Sequence, residues 1–221
     1  MNTEWLVWQL ADSAFPSGGF AHSGGLEATW KHGEITCDQD LLVFLQASLA
    51  QTGQSTVPFL NAAHRDPGRF RSIDQRCEAF VRNHVASRAS QRKGQALLLT
   101  ARAICDGRTL AAMRQTLAAG GIHAHLPVVF GVLTRELDVE HAQAVGLLLF
   151  ATLRDLVGSA IRLGLVGPMR GQTIQRRLAP YAGDVADRCA SLALDDAAQS
   201  APLLDIHQGA HDRLYSRLFQ T

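Results

Sequence analysis

The chain has 221 residues and a mass of 23.9 kDa, with 47% hydrophobic and 19% charged residues and a formal net charge of +1. That is long enough to bury a sizeable core and too apolar for a disordered chain. The near-neutral balance excludes a broad electrostatic surface for nucleic acid, although 19 of the 21 basic residues are arginine, Lys31 and Lys93 being the exceptions.

Alanine is the commonest residue, aromatics are 6%, and no long alternating run of apolar and polar residues occurs, so helical periodicity carries the chain. In chain order the pattern predicts helices over 3–13, 24–32, 38–52, 56–65, 73–86, 89–105, 109–118, 128–137, 140–164, 171–195 and 204–218. Thr36-Cys37-Asp38-Gln39 has capping-box spacing ahead of Leu41, Leu42, Phe44, Leu45 and Leu49, and Ser72-Ile73-Asp74-Gln75 repeats it before Phe80, Val81 and Val85. Ten or eleven helices without a composition shift or repeat predict a single all-α domain over 1–221.

The segment His141–Gly164 is apolar nearly all round and is expected to be the buried central helix. Its glycines, Gly146 and Gly158, each cost about 1 kcal/mol against alanine unless close helix packing offsets it. Arg154, Asp155 and Arg162 need partners or a route to the surface. Interrupted by those charges, the stretch Ala142–Val166 has a longest run free of charge or amide of about ten residues, short of the roughly 20 that span a bilayer. The start, with Glu4 and no basic region, does not resemble a signal peptide. Cys37, Cys77, Cys105 and Cys189 are dispersed, the usage of reduced thiols in a cytosolic protein.

Three clusters are candidates for chemistry. Phe15–Glu27, FPSGGFAHSGGLE, is a turn-rich block in which Pro16, Gly18, Gly19, Gly24 and Gly25 set the backbone and Ser23 can cap a helix carrying Leu26 and Glu27. Ala21-His22-Ser23-Gly24-Gly25 also approximates a nucleophile elbow, which would make Ser23 a hydrolase nucleophile if a strand preceded it. His207 and His211, four apart on a predicted helix, and His123 and His125 before Pro127 are weak metal-ligand candidates. The carboxylates Glu136/Asp138 and Asp195-Asp196 are expected on solvated faces, and no catalytic constellation emerges.

The closing segment, PLLDIHQGAHDRLYSRLFQT, is expected to place Ile206, Ala210, Leu214 and Leu218 on one side of a helix. Tyr215, Arg217 and Phe219 are residue types that anchor interfaces, placed where a domain buries them least easily. Two readings stand: a tail docked on its own core, or a partner-binding tail. On the second, deleting Tyr215–Thr221 is expected to leave the helical fold intact.

Three blocks resemble the urease accessory UreF family: LADSAFPSGGFAHSGGLE over Leu10–Glu27; Arg162-Leu163-Gly164 with Gly167 and Gly171-Gln172; and His211-Asp212-x-x-Tyr215-Ser216-Arg217-Leu218-Phe219. The resemblance runs end to end. It implies an all-α, non-enzymatic cytoplasmic adaptor that dimerises, binds the accessory subunit UreD/UreH, recruits the GTPase UreG, and docks on apo-urease to deliver nickel. No cofactor is implied for the chain itself; nickel, GTP and magnesium are handled by the assembly. By position, Glu27, Arg162, Gly167 and Gln172 fall on the part implicated in communication with UreG. His211, Tyr215, Arg217, Leu218 and Phe219 fall on the UreD/UreH contact, with 1–12 and 204–221 as partner-binding segments. Pro16, Gly18, Gly19, Phe20, Ser23, Gly25 and Leu26 correspond to structural positions. The chain departs from the family at Thr56, where an acidic residue is usual, and at Pro168 and Met169, where the family has Gln-Thr. The rival readings are a histidine-using nickel chaperone and the Ser23 hydrolase.

Overall fold

The computed structural model describes residues 3–221, for Thr3 the backbone alone. Met1 and Asn2, the first of the predicted partner-binding segment 1–12, lie outside the described residues. Among those described, the chain forms eleven α-helices and no strand: α1 (Thr3–Ala11), α2 (Leu26–Lys31), α3 (Asp38–Ser55), α4 (Val57–Arg65), α5 (Phe70–Phe80), α6 (His84–Ile104), α7 (Arg108–Ala118), α8 (Leu126–Glu136), α9 (His141–Arg162), α10 (Pro168–Cys189) and α11 (Pro202–Gly209). Single 3₁₀ turns at Gly19–Ala21, Pro67–Arg69, Leu194–Asp196 and Ala210–Arg213 complete the path. One continuous cluster of buried apolar side chains runs from Leu6 in α1 to Cys189 in α10.

Two of the helix contacts are built on glycine. A Cβ at Gly131 of α8 would lie 2.7 Å from the Leu60 carbonyl of α4. One at Gly94 of α6 would collide with the Ala124 carbonyl just before α8. These contacts admit no side chain, so α4 and α6 press directly against the α8 region.

α9 packs against α3, α4, α8 and α10, with α1 and α2 laid over it. By length and composition it is apolar enough to cross a membrane, with mean hydropathy 1.7. Its Val145, Leu148, Leu149, Leu153 and Val157 are instead buried in this core. Burial is not all-round, however. Phe150 is partly exposed, and a Cβ at either Gly146 or Gly158 would meet nothing within 4 Å. No close packing offsets the cost of those glycines; they line open surface. Arg154 is neutralised by Asp155 at 2.8 Å and donates to the Ala11 carbonyl at 2.7 Å.

Several boundaries differ from the sequence reading. The box at α3 closes through Asp40 rather than Gln39: its carboxylate accepts from Thr36 N (2.9 Å) and Cys37 N (3.1 Å) and is held down at about 2 by those bonds. Ser72 lies inside α5, and Asp74 does not cap it. Asp74 is fully buried and accepts from His123 N (2.7 Å) and His125 N (2.8 Å), tying α5 to the loop before α8. Asn83 breaks α5 from α6 by accepting from Val85 N and Ala86 N. α10 begins at Pro168, three residues early, because a proline at the first helical position forfeits only an unpaired amide. Glu136, expected on a solvated face, caps α7 by accepting from Thr109 N (2.7 Å) and Leu110 N (3.4 Å).

Candidate functional site

The site forms where the Phe15–Glu27 block meets the closing segment. Gly18, at φ 75°, starts the 3₁₀ turn that throws Phe20 outward. Gly25, at φ 90°, caps α2 from the left-handed region that favours glycine. Gly19 faces Asp155 so closely that any Cβ would enter its carboxylate. Leu26 and Ser23 are buried. Glu27 therefore begins α2 pointing inward, 1% exposed.

A buried carboxylate needs donors. Glu27 accepts from His211 Nε2 at 3.1 Å, Leu218 N at 2.6 Å and Phe219 N at 3.1 Å, with Lys31 Nζ at 3.9 Å. His211 is fully buried; with Nε2 donating, its Nδ1 has no partner among the described residues. The rest of the segment is strapped down alongside. Lys31 donates to the Ser216 carbonyl (2.6 Å), Gln220 N to the Ala21 carbonyl (2.9 Å), and Ser23 N to the Thr221 carbonyl (2.7 Å). His22 Nδ1 meets the Thr221 hydroxyl. Burial, reinforced by Lys93, Arg92 and Arg88, pulls His22 down to about 4. Asp212 gathers Arg88 (2.7 Å), Arg217 (3.3 Å) and His84 (3.3 Å), and the Arg88 bond holds its carboxyl below the usual range.

Arg162, at the end of α9, is stacked between Phe20 (3.6 Å from guanidinium carbon to ring centre) and Phe219 (4.3 Å), and donates to the Phe20 carbonyl. Burial lowers its pKa and Glu27 opposes the shift. Glu27 and Arg162 thus do not pair. They hold the backbone and the ring of one residue, Phe219. Phe20, Arg162 and Gln172 face a cleft of about 940 Å³ that Pro16, Gly18 and Gly19 also line. Gly167 caps α10 outside this cleft, and Met169 beside it is exposed.

The predicted helix 204–218 ends at Gly209, followed by the turn Ala210–Arg213 and extended backbone. Ile206, Ala210, Leu214 and Leu218 do not form one buried stripe; Ile206 and Leu218 are exposed. The two readings of the tail divide along its residues. His211, Phe219 and Thr221 dock on the core, while Tyr215 is fully exposed and Leu218 is 53% exposed. Deleting Tyr215–Thr221 would therefore also strip donors from Glu27. In α1, Trp5 and Trp8 are 67% and 57% exposed and pack on each other.

The elbow reading of Ser23 meets a different geometry. A 3₁₀ turn precedes it, and its buried hydroxyl donates to the Thr221 carbonyl at 3.2 Å. The His207–His211 pairing does not form: His211 turns inward to Glu27, while His207 Nδ1 lies 3.4 Å from His32 Nδ1. His125 is buried against Glu78 (2.7 Å) and Ser90 (3.1 Å), apart from exposed His123. Among the described residues no group of three or more His, Cys, Asp or Glu could hold a metal. Long-range docking of the tail on Ala21–Ser23 had no local signal; the blocks' residue types marked both partners but not their contact.

The UreF family profile matches residues 35–179, from just before α3 into α10. The chain belongs to the UreF family. UreF relatives extend the likeness over the flanking blocks. "Urease accessory protein F" of Oryza sativa subsp. indica is 34% identical over 98% of this chain and 85% of its own length. The Arabidopsis thaliana protein of that name is 34% identical over 98% and 92%. "Urease accessory protein UreF" of Trichodesmium erythraeum (strain IMS101) is 33% identical over 99% and 97%. Arg162 lies inside the segment matched by the UreF profile, whereas Phe20 and the strap (residues 211–221) lie outside it, in the flanks that these longer alignments, at 98–99% of the chain, extend into.

Proposed function

We propose that this chain is a non-catalytic adaptor of urease maturation. In this reading it works in the cytoplasm as a homodimer, binds UreD/UreH through the exposed part of the strap and through α1, and turns the Phe20–Arg162–Gln172 cleft toward the GTPase UreG. The assembly then docks on apo-urease for nickel delivery, with GTP and magnesium held by UreG. The observation that carries the reading is the division within the strap. Glu27 and His211 fix it to the core, and that anchorage presents Tyr215 and Leu218 to solvent in one defined conformation. Presenting large apolar side chains in a preorganised backbone reduces the entropy lost on binding. The exposed Trp5 and Trp8 supply a second anchor of the type enriched at interfaces.

Light scattering behind size exclusion tests it, on the chain alone, with UreD/UreH, and then with UreG, GTP and magnesium. The expected result is a stepwise rise to 2:2 and 2:2:2 assemblies. Tyr215→Ala/Leu218→Ala should keep wild-type helicity and lose the UreD/UreH step, and Arg162→Ala should lose only the UreG step. A monomer that ignores both partners would overturn the adaptor reading.

A further inference from the structure

His32 closes α2 and His207 sits in α11, and the two helices pack on each other beside the strap. Their imidazoles face across that seam with Nδ1 atoms 3.4 Å apart. Neither ring has another hydrogen-bond partner among the described residues, so no third group competes for either Nδ1, and with both ring protons on Nε2 the two Nδ1 lone pairs face each other. A metal ion bound tetrahedrally at roughly 2.0–2.1 Å from imidazole nitrogen requires its two nitrogens about 3.4 Å apart. The backbone already supplies that separation from two different elements. The ring centres are 5.7 Å apart, so each Nδ1 points nearly straight at the other. Converging both lone pairs on one ion needs a tilt of about 35° per ring from tetrahedral geometry. His32 is exposed and His207 half-buried, so side-chain rotation alone achieves it.

We infer that His32 and His207 form a two-histidine clamp for one divalent ion of the zinc, nickel and copper class, the ions that imidazole prefers. Two protein ligands leave the remaining positions to water or to a partner's side chain. That is the coordination of a site that takes up and releases its ion, unlike a closed structural site. The ion would also tie α11 to α2, the elements that carry the strap and Glu27. The clamp depends on no other group of the site, and it stands or falls independently of the adaptor reading.

The test is calorimetric titration of the chelator-treated full chain with zinc chloride, with cobalt(II) absorption as a second probe. The wild type should take up one ion saturably, and His32→Ala and His207→Ala should each weaken that event at least tenfold and abolish the cobalt bands. His123→Ala, at an exposed histidine elsewhere, should leave both unchanged. Both clamp variants alter surface side chains, and circular dichroism checks their fold. Wild-type affinity in either clamp variant, or no saturable uptake by the wild type, would overturn the site.

Discussion

Replacing Glu27 by alanine tests the link between the buried carboxylate and the strap. The substitution removes the acceptor for His211 Nε2, Leu218 N and Phe219 N. Each hydrogen bond to a charged group contributes about 1.5–3 kcal/mol, so the gross loss is about 5–9 kcal/mol. Water recovers part of this, because the Leu218 and Phe219 amides hydrate once the strap lifts, whereas fully buried His211 does not recover until α11 also moves. The net destabilisation should fall at about 3–5 kcal/mol, the range for stripping one partner from a buried charged pair. Glu27→Gln keeps the shape but turns an amide toward a donor, and should lose about half as much. Urea denaturation gives the free energy, and hydrogen exchange resolved over residues 211–221 locates it. Arg217→Ala, at an exposed side chain, is the control and should stay within about 0.5 kcal/mol of wild type. Unchanged exchange at Leu218 and Phe219 in Glu27→Ala, or a loss no larger than the control's, would refute the reasoning.

Other outcomes follow from the same geometry. His22, held near 4 in the fold against 6.5 for a free imidazole, stays neutral while the unfolded chain takes the proton. Its contribution, about 2–3 kcal/mol, is thus complete above pH 6.5 and is lost as the pH falls toward 4. His22→Gln should flatten that part of the stability–pH curve measured by chemical denaturation. Asp74→Ala leaves the amides of His123 and buried His125 without an acceptor, and the unfolding midpoint should register a loss of about 2–4 kcal/mol. Gly146→Ala and Gly158→Ala put a methyl into open space on α9, and each should raise stability by about 0.5–1 kcal/mol in the same assay.

The sequence exposes most of the helices because their apolar positions repeat at helical spacing and their ends carry caps. It misplaces ends where a long-range partner claims the residue. Ser72 and Gln75 have the spacing of a capping box, but Ser72 falls inside α5, and Asp74 between them is claimed by the peptide before α8. Glu136 resembles a surface charge until α7's first amides are seen above it. At the site, residue types in the Phe15–Glu27 block and in the last eleven residues identify both halves, and burial of a charge at Arg162 signals an unmet partner. That the partner is a pair of aromatic faces rather than Glu27 depends on how residues 142 and 57 positions from Arg162 come together, which no local pattern encodes. Likewise His207 and His211 share a helical spacing, yet the helix ends between them.

The strap also sets an order of events during synthesis. Glu27, Ser23 and Ala21 leave the ribosome well before their partners Phe219, Thr221 and Gln220, which follow about 190 to 200 residues later. Until then Glu27 has no donor from the strap to justify its burial, so α2 cannot settle against α9 as it does in the finished chain. The eight helices from α3 to α10 can assemble as their residues emerge, whereas the Phe15–Glu27 block must wait, hydrated, until residues 211–221 follow. Contacts of such long sequence separation close slowly. The surface that includes Phe20 and Arg162 is therefore complete only once residues 211–221 have been made, and a nascent chain that lacks them would not display it.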